Sequence, residues 1–169
     1  MNGILVRRSC RTCALPANTE IGVKGVAVKR PTKDRYFLAL AEIAGSRSTC
    51  LHRHQGAVLV KNSRVISTGY NGSPPGAEHC DDIGWCAKDK GFHCRAEGLH
   101  AETNAVVSAA RMGISTDGAT CYCVYSPCRT CGNVLKSAGI TSVWYATVYE
   151  NFKEGPEYLR SLGMEVVKV

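Results

Sequence analysis

The chain has 169 residues, a length that suits one globular domain, and 44% of them are apolar against 21% charged. This balance excludes a disordered or low-complexity protein, and no apolar run approaches the ~20 residues that span a bilayer. Ten cysteines, several times ordinary usage, require an explanation of their own.

The basic excess is concentrated at the N-terminus. Residues 1–30 carry a net charge of +5, whereas residues 31–169 carry only +2 of the total of +7. The nearly neutral body does not indicate a duplex-binding stripe. No secretory signal is evident, because the short apolar patch precedes Arg7 and Arg8. We therefore expect a soluble, cytoplasmic protein with a flexible or lightly structured extension over residues 1–29 and one folded domain over residues 30–169.

The first half of that domain predicts a helix, a hairpin and a long loop. Residues 32–46 space their apolar side chains as a helix does. The segment 56–72 alternates around the turn-forming pair Asn62-Ser63, which is typical of a β-hairpin. Residues 71–99 are rich in Gly, Pro, Cys and Asp without periodicity, and so predict a loop. Loops of that length inside a compact domain are generally functional or specially tied down.

From His100 onward the sequence predicts helices alternating with strands. In the first of these helices we expect Ala105, Val106, Ala109 and Ala110 to face inward. The predicted helices cover 101–112, 129–139 and 155–163, and the predicted strands cover 119–125, 141–149 and 164–169. The order α-ββ-α-β-α-β-α-β indicates an α/β protein whose mixed, mostly parallel sheet is covered by helices on both faces.

Two short motifs carry the predicted chemistry, His100-Ala-Glu102 and Pro-Cys128-x-x-Cys131, and each opens a predicted helix. Cys128 and Cys131 are three residues apart, so their sulfurs point the same way in the first helical turn. Zinc accepts such a pair, and a neutral His100 imidazole would be a third ligand. Three protein ligands leave a fourth tetrahedral position open, as in catalytic zinc sites.

Glu102 is the predicted general acid and base. A carboxylate beside the metal can take a proton from water and deliver protons to the substrate. A lone C-x-x-C pair could equally be a structural zinc or a redox site, and a lone His-Ala-Glu says little. The combination of H-x-E with P-C-x-x-C is the signature of zinc-dependent nucleobase deaminases.

From about Arg30 to the C-terminus, the chain resembles the deoxycytidylate (dCMP) deaminases. The segments that carry the resemblance are RPTKDRYFLALAEIAGSRSTC, GAVLVKNSRVISTGYNGSPPG, HAETNAVVSAAR, SPCRTC and AGITSVWYATVY. RSTC followed by GAVLV and GYNGSPPG favours the nucleotide enzymes over cytidine or tRNA adenosine deaminases. The resemblance implies a three-layer αβα cytidine-deaminase fold with a mixed five-stranded sheet. It also implies hydrolysis of dCMP to dUMP and ammonia, which feeds dTMP synthesis.

The resemblance implies roles for individual residues as well. His100, Cys128 and Cys131 would hold zinc. Glu102 would activate water, protonate N3 of the pyrimidine and then protonate the leaving amine. Asn71 would contact the sugar or base.

Regulation and phosphate binding are further expectations from the resemblance. Its members are typically hexamers that dCTP activates and dTTP inhibits. Gly72 would lie near the allosteric nucleotide, or simply in a tight turn, and Arg111 would be an interface arginine or a solvated helix-end cation. Because the substrate phosphate needs a cation, Arg53 is the candidate for binding it, and Tyr149 is a weaker candidate for substrate contact.

The remaining cysteines predict a second metal site. Four thiolates would close a structural zinc and explain how the long loop stays ordered, and some members of the family have such a site. The predicted ligands are Cys50, Cys80, Cys86 and Cys94, with His93 as an alternative. Free thiols are the other reading. Cys121 and Cys123 are expected in the core. Cys10 and Cys13 have no visible partner pair and could be fortuitous, shared in an oligomer, or redox-active.

Two other functions compete with dCMP deamination. The first is deamination of another cytosine or adenine substrate, either a free nucleoside or a base in tRNA; the nearly neutral body argues against the tRNA. The second is a zinc-stabilised protein that binds nucleic acid through the +5 extension.

Overall fold

The computed structural model describes residues 30–86 and 99–169. In these residues the strands are β1 (Gly56–Lys61), β2 (Arg64–Tyr70), β3 (Thr120–Tyr125), β4 (Ser142–Thr147) and β5 (Glu165–Lys168). The helices are α1 (Lys33–Gly45), α2 (Cys80–Ile83), α3 (Ala101–Arg111), α4 (Arg129–Ser137) and α5 (Gly155–Ser161), with a single-turn 3-10 helix at Glu150–Phe152. The predicted extension, residues 1–29, lies outside the described residues.

The described strands form one mixed sheet in the order β2-β1-β3-β4-β5. β1 pairs antiparallel with both β2 and β3, whereas β3, β4 and β5 pair in parallel. The mixed five-stranded sheet is therefore confirmed. Two of its four strand pairings are antiparallel and two are parallel, whereas the sequence predicted a mostly parallel sheet. The difference arises because β1 lies between β2 and β3 and is antiparallel to both.

Helices cover both faces of the sheet, as predicted. On one face Phe37, Leu38 and Ala41 of α1 pack against alternate residues of the central strands, among them Val58 and Tyr122. On the opposite face, side chains of α3, α4 and α5 pack against the intervening strand residues. That larger cluster includes Ala57, Leu59, Ala105, Cys121, Cys123, Leu135, Val143 and Leu159. The period-2 alternation of β1 and β3 thus supplies both cores.

A side-chain cap begins α1, and a side-chain hydrogen bond anchors the helix to the sheet. Thr32 is its N-cap, and the Thr32 hydroxyl accepts a hydrogen bond of 3.2 Å from the backbone N–H of Arg35. The phenolic hydroxyl of Tyr122 donates a 2.8 Å hydrogen bond to Asp34 in the first turn. The helix is therefore tied to β3 by a polar contact as well as by its apolar face.

α3 rests almost directly on β2. A Cβ added at Gly69 would collide with the Ala101 carbonyl and the Ala105 backbone nitrogen. The absence of a side chain at Gly69 therefore lets the helix that begins at Ala101 approach the sheet closely.

The sequence pattern misjudged some details. Ala110 is exposed rather than inward, because the buried row of α3 is Ala101, Ala105 and Ala109 at four-residue spacing. The predicted loop 71–99 contains the short helix α2, and residues 87–98 of that loop lie outside the described part of the chain.

In the described ranges, no helix combines the length and apolar character needed to cross a bilayer.

Candidate active site

The three predicted zinc ligands meet at the N-termini of two helices. His100 is the N-cap residue of α3, Cys128 is the N-cap residue of α4, and Cys131 lies in the first turn of α4. Nδ1 of His100 lies 3.4 Å from Sγ of Cys128 and 3.3 Å from Sγ of Cys131. All three ligand atoms lie within 4.8 Å of one another.

These separations fit a tetrahedral zinc. With zinc–sulfur and zinc–nitrogen bonds of ordinary length, neighbouring nitrogen and sulfur ligands lie ~3.5 Å apart. The two cysteines and one histidine are also the donor set that zinc prefers over magnesium or calcium. Both the chemistry and the spacing of the group therefore suit zinc, with the His100 imidazole binding through Nδ1.

The surroundings of the two cysteines shift their pKa values in opposite directions. A hydrogen bond from Cys131, supported by contact with His100, lowers the pKa of Cys128 to about 4 although burial opposes it. The pKa of Cys131 is raised, because its thiol is the donor to Cys128 and is itself buried. Both sulfurs lie at the N-terminus of α4, which favours the thiolate form that binds a divalent cation.

Glu102 is buried beside this group, with 7% of its surface exposed. Burial raises the pKa of Glu102, while a hydrogen bond from its own backbone and the charge of His100 partly oppose the rise. Cys131 also hydrogen-bonds the Glu102 carboxylate. A carboxylate with a raised pKa is a stronger base than an exposed one, which favours proton acceptance in general acid–base catalysis.

Ser126 fixes the approach to α4. The chain leaves β3 at Tyr125, and the backbone N–H of Ser126 donates to Thr147 at 2.8 Å, prolonging the β3–β4 pairing. The buried Ser126 hydroxyl accepts a 2.8 Å hydrogen bond from the backbone N–H of Tyr149. The segment after β4 is thereby held against the residues that lead into Cys128.

The predicted substrate residues also come together. The Arg53 guanidinium lies over the Tyr149 ring, 5.1 Å from its centroid. Asn71 is buried, and its amide oxygen accepts from the backbone N–H of Gln55 at 2.8 Å. Its amide nitrogen donates to the Arg53 carbonyl at 2.9 Å. Asn71 therefore holds the loop that carries Arg53, a role that sequence reasoning did not foresee.

Gly72 and Arg111 lie in different surroundings. The backbone N–H of Gly72 donates to the Leu99 carbonyl at 3.2 Å, which joins the two ends of the long loop just before His100. Arg111 is exposed in the last turn of α3. An eleven-residue helix places it roughly 15 Å from the metal-binding end.

Three of the four cysteines predicted for a second metal form a buried cluster, Cys50, Cys80 and Cys86. Cys94 and the alternative ligand His93 lie outside the described residues, as do Cys10 and Cys13. Cys121 and Cys123 are buried in the larger core, as predicted.

The sequence reasoning missed the contacts of two residues in the first turns of α3 and α4. The Thr103 hydroxyl lies 3.6 Å from Sγ of Cys131. The Arg129 guanidinium lies over the Tyr158 ring at 4.2 Å and near the Phe152 ring at 5.6 Å. Each is adjacent in sequence to a residue of the two motifs, but adjacency alone does not reveal a contact with a distant partner.

Comparison with known proteins extends these observations. A family model described as the cytidine and deoxycytidylate deaminase zinc-binding region matches residues 31–147. A Bacillus subtilis protein named ComE operon protein 2 is 37% identical over 142 residues, covering 84% of this chain and 74% of the relative. The deoxycytidylate deaminase of Schizosaccharomyces pombe is also 37% identical over 142 residues, covering 81% of this chain but 44% of that protein.

A solved structure is similar over nearly its whole length. The dCMP deaminase of cyanophage S-TIM5, crystallised with dCMP and dUMP, superposes with a TM-score of 0.72 at 31% identity. The match covers 83% of this chain and 99% of the phage chain. The match thus covers 99% of the phage chain but less than half of the fission yeast protein.

Proposed function

The chain belongs to the family of cytidine and deoxycytidylate deaminases, and we propose that it hydrolyses dCMP to dUMP and ammonia. The observation that carries the proposal is the convergence of His100, Cys128 and Cys131 beside the buried carboxyl group of Glu102. The similarity to a dCMP deaminase crystallised with both dCMP and dUMP supports the choice of substrate.

The proposed metal is zinc, held by Nδ1 of His100 and the sulfurs of Cys128 and Cys131. Bound there, zinc would lower the pKa of a water molecule and so supply the nucleophile at neutral pH. The N-termini of α3 and α4 add positive potential that stabilises the thiolates.

Glu102 is the proposed proton carrier. It would take one proton from the attacking water and place it on N3 of the cytosine ring as C4 is attacked. It would then take the remaining proton from the hydroxyl added at C4, which becomes the carbonyl of dUMP, and pass it to the departing amine, which leaves as ammonia. Its burial keeps bulk water from competing for these protons, and its raised pKa makes the carboxylate a stronger base.

The proposed phosphate ligand is Arg53. Its guanidinium is aligned over Tyr149, and its backbone is held by Asn71, so little side-chain entropy would be lost on binding an anion. Asn71 retains one N–H and one oxygen lone pair beyond its two described hydrogen bonds, which leaves it able to contact a sugar or base.

The finer expectations of the family resemblance are also proposals. They are a second, structural zinc held by Cys50, Cys80, Cys86 and Cys94 or His93, a hexameric assembly with Arg111 at an interface, and activation by dCTP with inhibition by dTTP near Gly72. A cytoplasmic location and a supply of dUMP for dTMP synthesis complete the proposal. The burial of three of these cysteines together supports the second zinc.

A deamination assay tests the main proposal. Ammonia release is measured with dCMP, dCTP, deoxycytidine, cytidine and a tRNA transcript, each with and without added dCTP or dTTP. We expect turnover of dCMP, and loss of that turnover after chelation with recovery on adding zinc. Preference for a nucleoside or for tRNA, or an inactive protein with full zinc occupancy, would contradict the proposal.

A further inference from the structure

Thr103 contacts Cys131, one of the three proposed zinc ligands. It is in the first turn of α3, three residues after His100, and the same helical face therefore carries both side chains. Its hydroxyl oxygen lies 3.6 Å from Sγ of Cys131, within hydrogen-bonding distance for sulfur. Thr103 is half-buried, so the contact is partly shielded from water.

Each of the two ligand sulfurs has a different outer partner. Sγ of Cys128 receives a hydrogen bond from the backbone of Cys131, which forms with the first turn of α4 and does not depend on a side chain. Sγ of Cys131 contacts the Glu102 carboxylate, which has no proton to donate when it is ionised, and the hydroxyl of Thr103, which has one. A metal-binding cysteine is a thiolate without a proton, so in the loaded protein Thr103 must be the donor.

We propose that Thr103 is a positioning residue that tunes the zinc by donating a hydrogen bond to the Cys131 thiolate. The inference rests on the proposed zinc site. A hydrogen bond to a thiolate withdraws electron density from the sulfur, which leaves a bound metal a stronger Lewis acid. It also fixes the orientation of the thiolate, and loss of an outer partner of this kind lowers metal affinity by ~10-fold or more.

The test compares Thr103→Val, which keeps the shape and removes the hydroxyl, with Thr103→Ser, which keeps the hydroxyl. Thr130→Val is a matched control, because Thr130 is an exposed threonine between Cys128 and Cys131. Zinc affinity is measured by chelator competition. The cobalt-substituted proteins are then compared by the energy of their sulfur-to-cobalt charge-transfer band.

For Thr103→Val we expect a band at lower energy and zinc affinity reduced by ~10-fold. Thr103→Ser and Thr130→Val should resemble the unsubstituted protein. Thermal unfolding of the metal-free proteins separates a change in the metal site from a change in folding. If Thr103→Val does not fold, Thr103→Ala replaces it in the test. It also removes the hydroxyl and should shift the band in the same direction.

Coincident bands and affinities for Thr103→Val and the unsubstituted protein would overturn the inference, as would a Thr103→Ser protein that behaves like Thr103→Val. If the unsubstituted protein binds zinc and deaminates dCMP, such a result removes only the role of Thr103. An unsubstituted protein that binds no zinc would remove both the inference and the proposed function.

Discussion

The Arg53 guanidinium lies over the Tyr149 ring, 5.1 Å from its centroid, although the two residues belong to segments from opposite halves of the chain. Arg53 precedes β1, whereas Tyr149 follows β4 and is anchored through its backbone to Ser126. The pair therefore connects the proposed phosphate-binding loop with the residues that lead into the metal-binding helix.

Replacing Arg53 with alanine is expected to raise the KM for dCMP by ~10- to 100-fold, since a hydrogen bond to a charged group contributes about 1.5–3 kcal/mol. The kcat should change much less, because the phosphate lies away from the reacting carbon. Steady-state kinetics measure both values. Arg64→Ala, at an exposed arginine of β2, is the control and should leave KM unchanged. An unaltered KM in the Arg53 variant would exclude this arginine as the phosphate ligand.

Replacing Glu102 with glutamine should reduce kcat by ~10²- to 10⁴-fold, the usual contribution of a general acid or base. Zinc content should remain that of the unsubstituted protein, because Glu102 is not among the metal ligands. Metal analysis and ammonia release are measured on the same preparation. Glu157→Gln, at an exposed residue of α5, serves as the control. Near-normal turnover in a zinc-loaded Glu102→Gln protein would eliminate the proposed role.

Asn71→Ala should destabilise the fold by about 2–3 kcal/mol, because it leaves the Gln55 N–H and the Arg53 carbonyl without their described side-chain partner. It should also raise the KM for dCMP, since the loop carrying Arg53 would lose its anchor. Urea unfolding and steady-state kinetics measure the two effects. A KM increase without any loss of stability would show that Asn71 acts on substrate alone.

The hydrogen bond from Tyr122 to Asp34 should contribute about 1 kcal/mol to stability. Burial, with the Asp34 hydrogen bond, raises the pKa of Tyr122. The Tyr122 hydroxyl therefore contributes its full stabilisation below the unfolded tyrosine pKa of ~10. This stabilisation is lost as the pH rises through the raised pKa of Tyr122 in the folded protein. Urea midpoints at pH 8 and pH 10.5, in a double-mutant cycle of Tyr122→Phe and Asp34→Ala, measure both effects. If the stability losses of Tyr122→Phe and Asp34→Ala simply add in the double variant, the two side chains are not coupled and the prediction fails.

Metal analysis should find two zinc ions per chain. Cys86→Ser is expected to reduce the content to one and to lower the thermal midpoint, because a structural zinc contributes folding energy directly. Cys121→Ala is the matched control, since it alters a buried core cysteine and should keep both ions while lowering stability through lost packing. One zinc in the unsubstituted protein, together with normal folding of Cys86→Ser, would end the idea of a second site.

Only part of the metal site is local in the sequence. Cys128 and Cys131 lie at the start of one helix, so helix formation alone places their sulfurs close together. His100 opens another helix and joins them only through packing, and the combination of the H-x-E and P-C-x-x-C motifs predicted it. The Asn71 hydrogen bonds and the contact of Thr103 with Cys131 also depend on how separate segments pack, but no motif predicts them. No periodicity in the sequence encodes these contacts. The exposed Ala110 has the same origin, because the sheet decides which stripe of α3 is buried.

Gly69 has a consequence for protein engineering. The helix that carries His100 and Glu102 rests on β2 at a point where backbone meets backbone, so its height above the sheet cannot be adjusted by choosing another side chain there. A saturation library at Gly69 would yield inactive proteins, while the neighbouring exposed Thr68 would accept many residues. Directed evolution of the protein should therefore leave Gly69 and the hairpin beneath α3 intact.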